Sequence, residues 1–149
     1  MYISLIKIIP LLGLSVAGWK DWKIREIPNW IVYPGMILGV FLNTMAGGIQ
    51  GLSFSLISLI SVFLFFGLFY LLNQIGEGDV KLIMACAACM GVYYTGGILI
   101  TGGLLGSVYA LYQWIKSLKI KNKKPIQIPF GTFMAIGAWI YQICLWCFN

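Results

Sequence analysis

Uncharged, mostly apolar runs cover residues 27–76, 82–115 and 125–149, and charge is confined to the stretches between and before them. A membrane-crossing helix needs about 20 consecutive apolar residues. The first run has 50 residues and room for two such helices. The second, as one helix, would reach about 51 Å at 1.5 Å per residue. That is too long for one crossing, so it predicts two tight helices divided at Thr95-Gly96-Gly97. The third run holds one helix, and residues 3–19 supply another. The pattern therefore predicts an all-α, polytopic membrane protein with about six transmembrane helices. They fall roughly at 3–19, 30–46, 52–72, 78–94, 97–115 and 128–148, with a loop around Gly47–Gly51. Little chain is left over, so residues 1–149 read as a single transmembrane domain.

Composition agrees and narrows the chemistry. Of 149 residues, 60 % are hydrophobic and 9 % charged, whereas soluble domains carry about 25 % charged residues. High hydrophobicity also excludes a disordered chain. There is no histidine, which removes Ser-His and Cys-His catalysis, zinc deaminases and every His-ligated metal site. Residues 1–19 have one charge, Lys7, and no small-residue cleavage site follows, so the segment reads as a retained first helix rather than a signal peptide.

The charges then set an orientation. Lys20, Lys23 and Arg25 follow the first helix, Lys81 borders the fourth, and Lys116, Lys119, Lys121, Lys123 and Lys124 follow the fifth. The two intervening loops carry no charge. The positive-inside rule places the basic loops in the cytoplasm of a plasma-membrane protein and both termini outside. Lys7 alone is left near the outer side, where its stem can snorkel. The lysine cluster acts as a topology anchor with weak affinity for anionic headgroups. No nucleic-acid partner is needed to explain it, and no oligomeric state is specified.

Only four acidic residues exist: Asp21, Glu26, Glu77 and Asp79. Topology alone brings Asp21, just past helix one, and Asp79, at the start of helix four, to one depth on one face. Two carboxyls sharing a proton can divide the acid and base roles, one activating water and the other polarising a carbonyl. Gly76 and Gly78 before Asp79 allow a tight bend and close approach of a substrate strand. Asp79 also lies at a helix N-terminus, whose dipole favours the ionised form. Pro28, Asn29 as an N-cap and Trp30 as an interfacial anchor give helix two a defined start. On chemistry alone the alternative stands beside this: both aspartates as helix caps or partners of Lys23, Arg25 or Lys81.

Two segments, Asp21-Trp-Lys-Ile-Arg-Glu-Ile-Pro-Asn-Trp30 and Gly76-Glu-Gly-Asp-Val-Lys-Leu82, resemble the signature motifs of the type IV prepilin peptidases, the GxGD-type intramembrane aspartyl proteases. Ile128-Pro-Phe-Gly-Thr-Phe-Met-Ala-Ile-Gly137 is similar to the segment opening that family's last helix. The resemblance implies catalysis by Asp21 and Asp79, with Gly76, Gly78, Lys81, Pro28 and Asn29 as motif support. It also implies a prepilin or pseudopilin precursor as substrate, cut on the cytoplasmic side between a basic leader and an apolar helix, commonly after a glycine. Glu26 and Glu77 are then candidates to attract the basic leader. Many members carry a cytoplasmic insertion with two zinc-binding CxxC pairs, associated with N-methylation. The first loop here has no cysteine, so the chain resembles the short, peptidase-only branch of Tad/Flp-type systems.

The actual CxxC pairs, Cys86/Cys89 and Cys144/Cys147, fall inside predicted helices at different depths and read as packing residues. No metal and no cofactor is expected. A Ser/Lys peptidase would need a serine near Lys81, and neither flanking loop has one. A small transporter or channel subunit would need a carboxylate near the midplane, and none is there.

Overall fold

The structure, a computed structural model, describes residues 2–118 and 128–148, with side chains over 8–117 and 128–147. Lys7 and the cluster Lys119, Lys121, Lys123 and Lys124 lie outside the described side chains. Five helices follow in order: α1 (Tyr2–Ile24), α2 (Asn29–Leu71), α3 (Glu77–Met90), α4 (Val92–Leu118) and α5 (Phe130–Phe148). The described residues contain no strand. Three stretches are long and apolar enough to cross a membrane: Asn29–Leu71, Val92–Ser117 and Phe130–Cys147. The chain is thus an all-α membrane protein.

The 43-residue α2 is not one rod. Gly48 has φ 56° and ψ −133°, a left-handed conformation suited to glycine. Beyond it the chain reverses. Asn43 Nδ2 donates to Ser55 Oγ at 2.9 Å, although twelve residues of continuous helix would hold them about 18 Å apart. Gly51 permits the tight return, since a Cβ there would collide with the Asn43 carbonyl. The loop expected around Gly47–Gly51 is therefore a one-residue turn between arms 29–47 and 49–71.

The second break is corrected more strongly. Thr95, Gly96 and Gly97 do not separate two helices; all three lie within α4. The break is at Gly91, with φ 84°, where the ring of Phe54 occupies the space a side chain would need. The α3 helix thus has 14 residues, a rise of about 21 Å. Its last carbonyls would be orphans in an apolar interior. Asn43 Nδ2 donates to Ala88 O and Cys89 O at 3.0 and 3.1 Å, and Ser55 Oγ donates to Ala88 O at 2.8 Å. Two polar side chains from α2 thus cap α3. Asn43→Ala is expected to cost about 1–2 kcal/mol by leaving these groups unpaired, read as a lower thermal unfolding midpoint in detergent.

The core forms around α3, whose residues Leu82, Ile83, Cys86 and Ala87 pack with Leu11, Leu14, Val32, Ile98 and Met134. Small residues draw the helices together. A Cβ on Gly39 would lie 2.8 Å from Cys89 N, and one on Gly102 would lie 2.9 Å from Phe133 O.

Candidate active site

Each acidic residue reaches the site for a local reason. The first helix runs five residues beyond the expected end, to Ile24, so Asp21 lies in the last turn of α1 rather than past it. Arg25, at φ 58°, ends the helix in the left-handed region, with its N–H bonded to Asp21 O at 2.9 Å. The chain turns away through Glu26 and Ile27 to Pro28. Pro28, not Asn29, occupies the N-cap position of α2 and makes no side-chain cap. Asn29 instead accepts a hydrogen bond from Lys81 Nζ at 3.3 Å. Lys81 also pairs with Glu77 and lies 5.2 Å from the Tyr33 ring centroid.

In the second segment, Gly76 caps α3 in an extended conformation and Glu77 and Asp79 fall in its first turn. A Cβ on Gly76 would lie 3.4 Å from Asp79 Oδ2, so the carboxylate folds back over the cap. A Cβ on Gly78 would lie 3.3 Å from Ile27 Cβ. The Asp21 and Asp79 segments meet at this contact.

The third segment does more than open α5. Thr132 N–H donates to Asp21 Oδ2 at 3.2 Å, and the Gly131 N–H acts on the same carboxylate. Thr132 Oγ1 donates to Gly18 O at 2.8 Å. The first turn of α5 is thereby pinned to the last turns of α1. A Cβ on Gly131 would lie 3.2 Å from both Asp21 Oδ2 and Ile27 Cδ1. Ile27 is therefore seated between Gly78 and Gly131, and all three segments interlock. The similarity at 128–137 was visible in the sequence, but a carboxylate-holding role for Gly131 and Thr132 was not.

The result is a polar pocket of about 600 Å³ lined by Asp21, Glu26, Asn29, Glu77, Asp79 and Lys81, among others. Both aspartates, 58 positions apart in sequence, lie in the charged boundary between the uncharged runs. Their environments differ. Burial raises the Asp21 pKa above the usual carboxylate range, opposed by the N–H groups of Thr132 and Gly131 and by the Arg25 charge. Asp79 is pushed up to about 6, by burial first and by the neighbouring Asp21 charge second. The α3 dipole expected to hold Asp79 ionised is outweighed by these two effects. Of the two glutamates, Glu77 is engaged by Lys81.

The cysteines are apart from this site. Cys86 and Cys89 are buried in α3, while Cys144 and Cys147 are exposed on α5. Among the described residues, no group of His, Cys, Asp or Glu has metal-binding geometry.

Fold and site together define an all-α membrane protein in which two carboxylates converge on one polar pocket at the helix ends. The signature of the Type IV leader peptidase family matches residues 8–111, a range that includes both aspartates. The chain belongs to that family. It is 31 % identical over 111 residues to a prepilin leader peptidase/N-methyltransferase of Dichelobacter nodosus, covering 74 % of this chain and 36 % of the relative. It is 31 % identical over 135 residues to the protein of the same description from Pseudomonas aeruginosa, covering 86 % and 45 %. A preflagellin peptidase of Methanococcus voltae is 29 % identical over 154 residues, covering 89 % and 66 %. The chain thus spans less than half the length of the two bacterial relatives. No solved structure matches.

Proposed function

We propose that this chain is an intramembrane aspartyl endopeptidase that removes the leader from prepilin-like precursors at the cytoplasmic face. The observation that carries the reading is the pairing of Asp21 and Asp79 in one pocket, with the proton affinity of Asp79 raised by burial and then by its partner. The family membership and the relatives' names supply the substrate class.

The differing environments support a division of roles. Asp21 accepts backbone N–H groups at the start of α5, which favours its carboxylate form. Asp79 is the buried partner and holds the shared proton. Protonated Asp79 donates a hydrogen bond to the scissile carbonyl oxygen. Asp21 takes a proton from a water whose oxygen attacks the carbonyl carbon. As the tetrahedral intermediate collapses, the C–N bond breaks and Asp21 returns that proton to the leaving amine. Asp79 ends protonated, as it began. Gly76 leaves room for the Asp79 carboxylate and Gly78 for Ile27, Pro28 and Asn29 fix the loop after Asp21, and Lys81 braces it through Asn29. Glu26 and Glu77 draw the basic leader, with Glu26 the stronger attractor because Glu77 is paired.

Orientation follows from the same end of the bundle. Arg25 and Lys81 line the pocket, and Lys23 and Lys116 lie in the last turns of α1 and α4. The positive-inside rule directs this end to the cytoplasm. With α1, the two arms of α2, α3, α4 and α5 each crossing once, six passes leave both termini outside, and the chain acts as one peptidase domain.

The test is release of the leader from a precursor made of a short lysine-rich leader, one glycine and an apolar helix, in vesicles. Wild type is expected to cleave it, and Asp21→Asn and Asp79→Asn are expected not to. The pH dependence gives a further check. The active form needs Asp79 protonated and Asp21 ionised, so kcat/KM is expected to fall as the pH rises through about 6. The same raised pKa makes the fold more stable as the pH drops from that value toward 4, because the folded state binds the extra proton. A kcat/KM still rising through that range contradicts the assignment.

A further inference from the structure

Beside the carboxylate pocket lies a second cavity of quite different character. It has a volume of about 280 Å³ and is lined by apolar side chains of α1, the first arm of α2 and α3. Its walls carry Pro10 and Gly13 from α1 and Pro34, Gly35 and Leu38 from α2, and its floor is α3. Each wall contains a proline, which removes a ladder hydrogen bond and bends a helix. The floor is built of small residues, Ala85, Cys86 and Cys89, which lets another helix come close. A Cβ on Gly13 would meet nothing within 4 Å, so that wall faces open space. Leu38 is half exposed.

The groove and the carboxylate pocket share no lining residue, but they adjoin along α2 and α3. Trp30 and Leu82 line the groove, and the residues just before them, Asn29 and Lys81, line the pocket. From Asp79 to Cys89 the α3 floor runs ten residues, about 15 Å of helix rise. An occupant touching both cavities must be polar at one end and apolar along the rest, with the junction beside Asn29 and Lys81.

We infer that the groove between α1 and the first arm of α2 holds the apolar helix of the precursor, immediately beyond the bond that is cut. This rests on the peptidase reading and adds where the substrate's membrane segment sits. The carboxylate pocket takes the leader side of the bond. The groove takes the first two to three turns of the helix, whose small or aliphatic side chains face Gly13, Gly35 and the α3 floor. Specificity then comes from a polar-to-apolar boundary presented at a fixed depth.

Gly13→Leu fills the groove from an open position without a backbone clash, and Gly103→Leu adds the same side chain at an open position on α4. In vesicles, Gly13→Leu is expected to cleave the lysine-leader precursor at least tenfold more slowly than wild type, and Gly103→Leu at the wild-type rate. A soluble peptide with the leader and scissile bond but no apolar helix is expected to be cut equally by all three. Independently of turnover, a photoreactive residue at Leu38 in the Asp79→Asn background is expected to cross-link the precursor, and one at Val108 on α4 is not. Wild-type cleavage of the full precursor by Gly13→Leu overturns the proposal. So does a Leu38 adduct made only with phospholipid or with a second copy of this chain. Loss of cleavage in wild type as well overturns the peptidase reading itself, and the Leu38 adduct tells the two failures apart.

Discussion

Exchanging either aspartate for asparagine is expected to lower kcat for leader removal by about 10³-fold or more, the scale of an essential acid or base. Asparagine keeps the shape of the side chain and cannot ionise or pass a proton. In Asp21→Asn the amide oxygen still accepts the Thr132 N–H, so the link between α1 and α5 survives while the base is lost. In Asp79→Asn the general acid is lost, and a buried group that resists ionisation is replaced by a neutral one. That variant is expected to melt at or above the wild-type temperature at pH 7, since removing an unfavourable buried charge stabilises a fold. Single-turnover cleavage paired with thermal unfolding separates catalysis from folding. Wild-type turnover in either variant removes the dyad from the mechanism.

The second large effect is expected at a residue that contacts no substrate atom. Gly131→Ala places a methyl group 3.2 Å from both Asp21 Oδ2 and Ile27 Cδ1. Something must shift by a few tenths of an ångström, and the candidates are the carboxylate and the loop that seats it. Misplacing a reacting group by about 1 Å can cost about 10²-fold, and a loss approaching that size in kcat is expected. Stability is expected to change little, because alanine is the better helix former by about 1 kcal/mol and offsets the crowding. The pH profile is the diagnostic readout. Weakening the N–H contacts to Asp21 raises its proton affinity, so the acidic limb of kcat/KM moves to higher pH. Unchanged kcat and an unchanged acidic limb show that α5 does not position Asp21.

Much of this was legible in the chain because charge is rare in it. Fourteen charged residues against three uncharged runs locate the helices, and two aspartates are few enough to pair by topology alone. The all-α membrane fold followed from those features and the family from the resemblance of three motif segments, and the structure and the relatives support both. The misplacements have physical causes. Thr95-Gly96-Gly97 carries more local turn signal than Gly91, yet the chain breaks at Gly91 because Asn43 and Ser55 satisfy the end of α3 there. That cap comes from residues more than thirty positions away, beyond any local reading. Asn29 has the composition of an N-cap but is engaged by Lys81. The N-terminal position of Asp79 suggested an ordinary anion, whereas burial and the Asp21 charge push its pKa up to about 6. The hold of Gly131 and Thr132 on Asp21 spans 110 residues or more, and sequence similarity could mark that segment without revealing its contact.

The shortness of α3 has a wider consequence. At about 21 Å it falls some 9 Å short of a typical 30 Å hydrocarbon layer. Longer helices surround it, so protein rather than lipid absorbs the shortfall. The shortfall lies at the Gly91 end, where Asn43 and Ser55 meet the last carbonyls of α3 while both arms of α2 continue past them to the turn at Gly48. The carboxylate end of α3 stays level with the start of α2, where Lys81 meets Asn29, so the short helix leaves its gap on the side away from the pocket, and there the α2 turn closes over it.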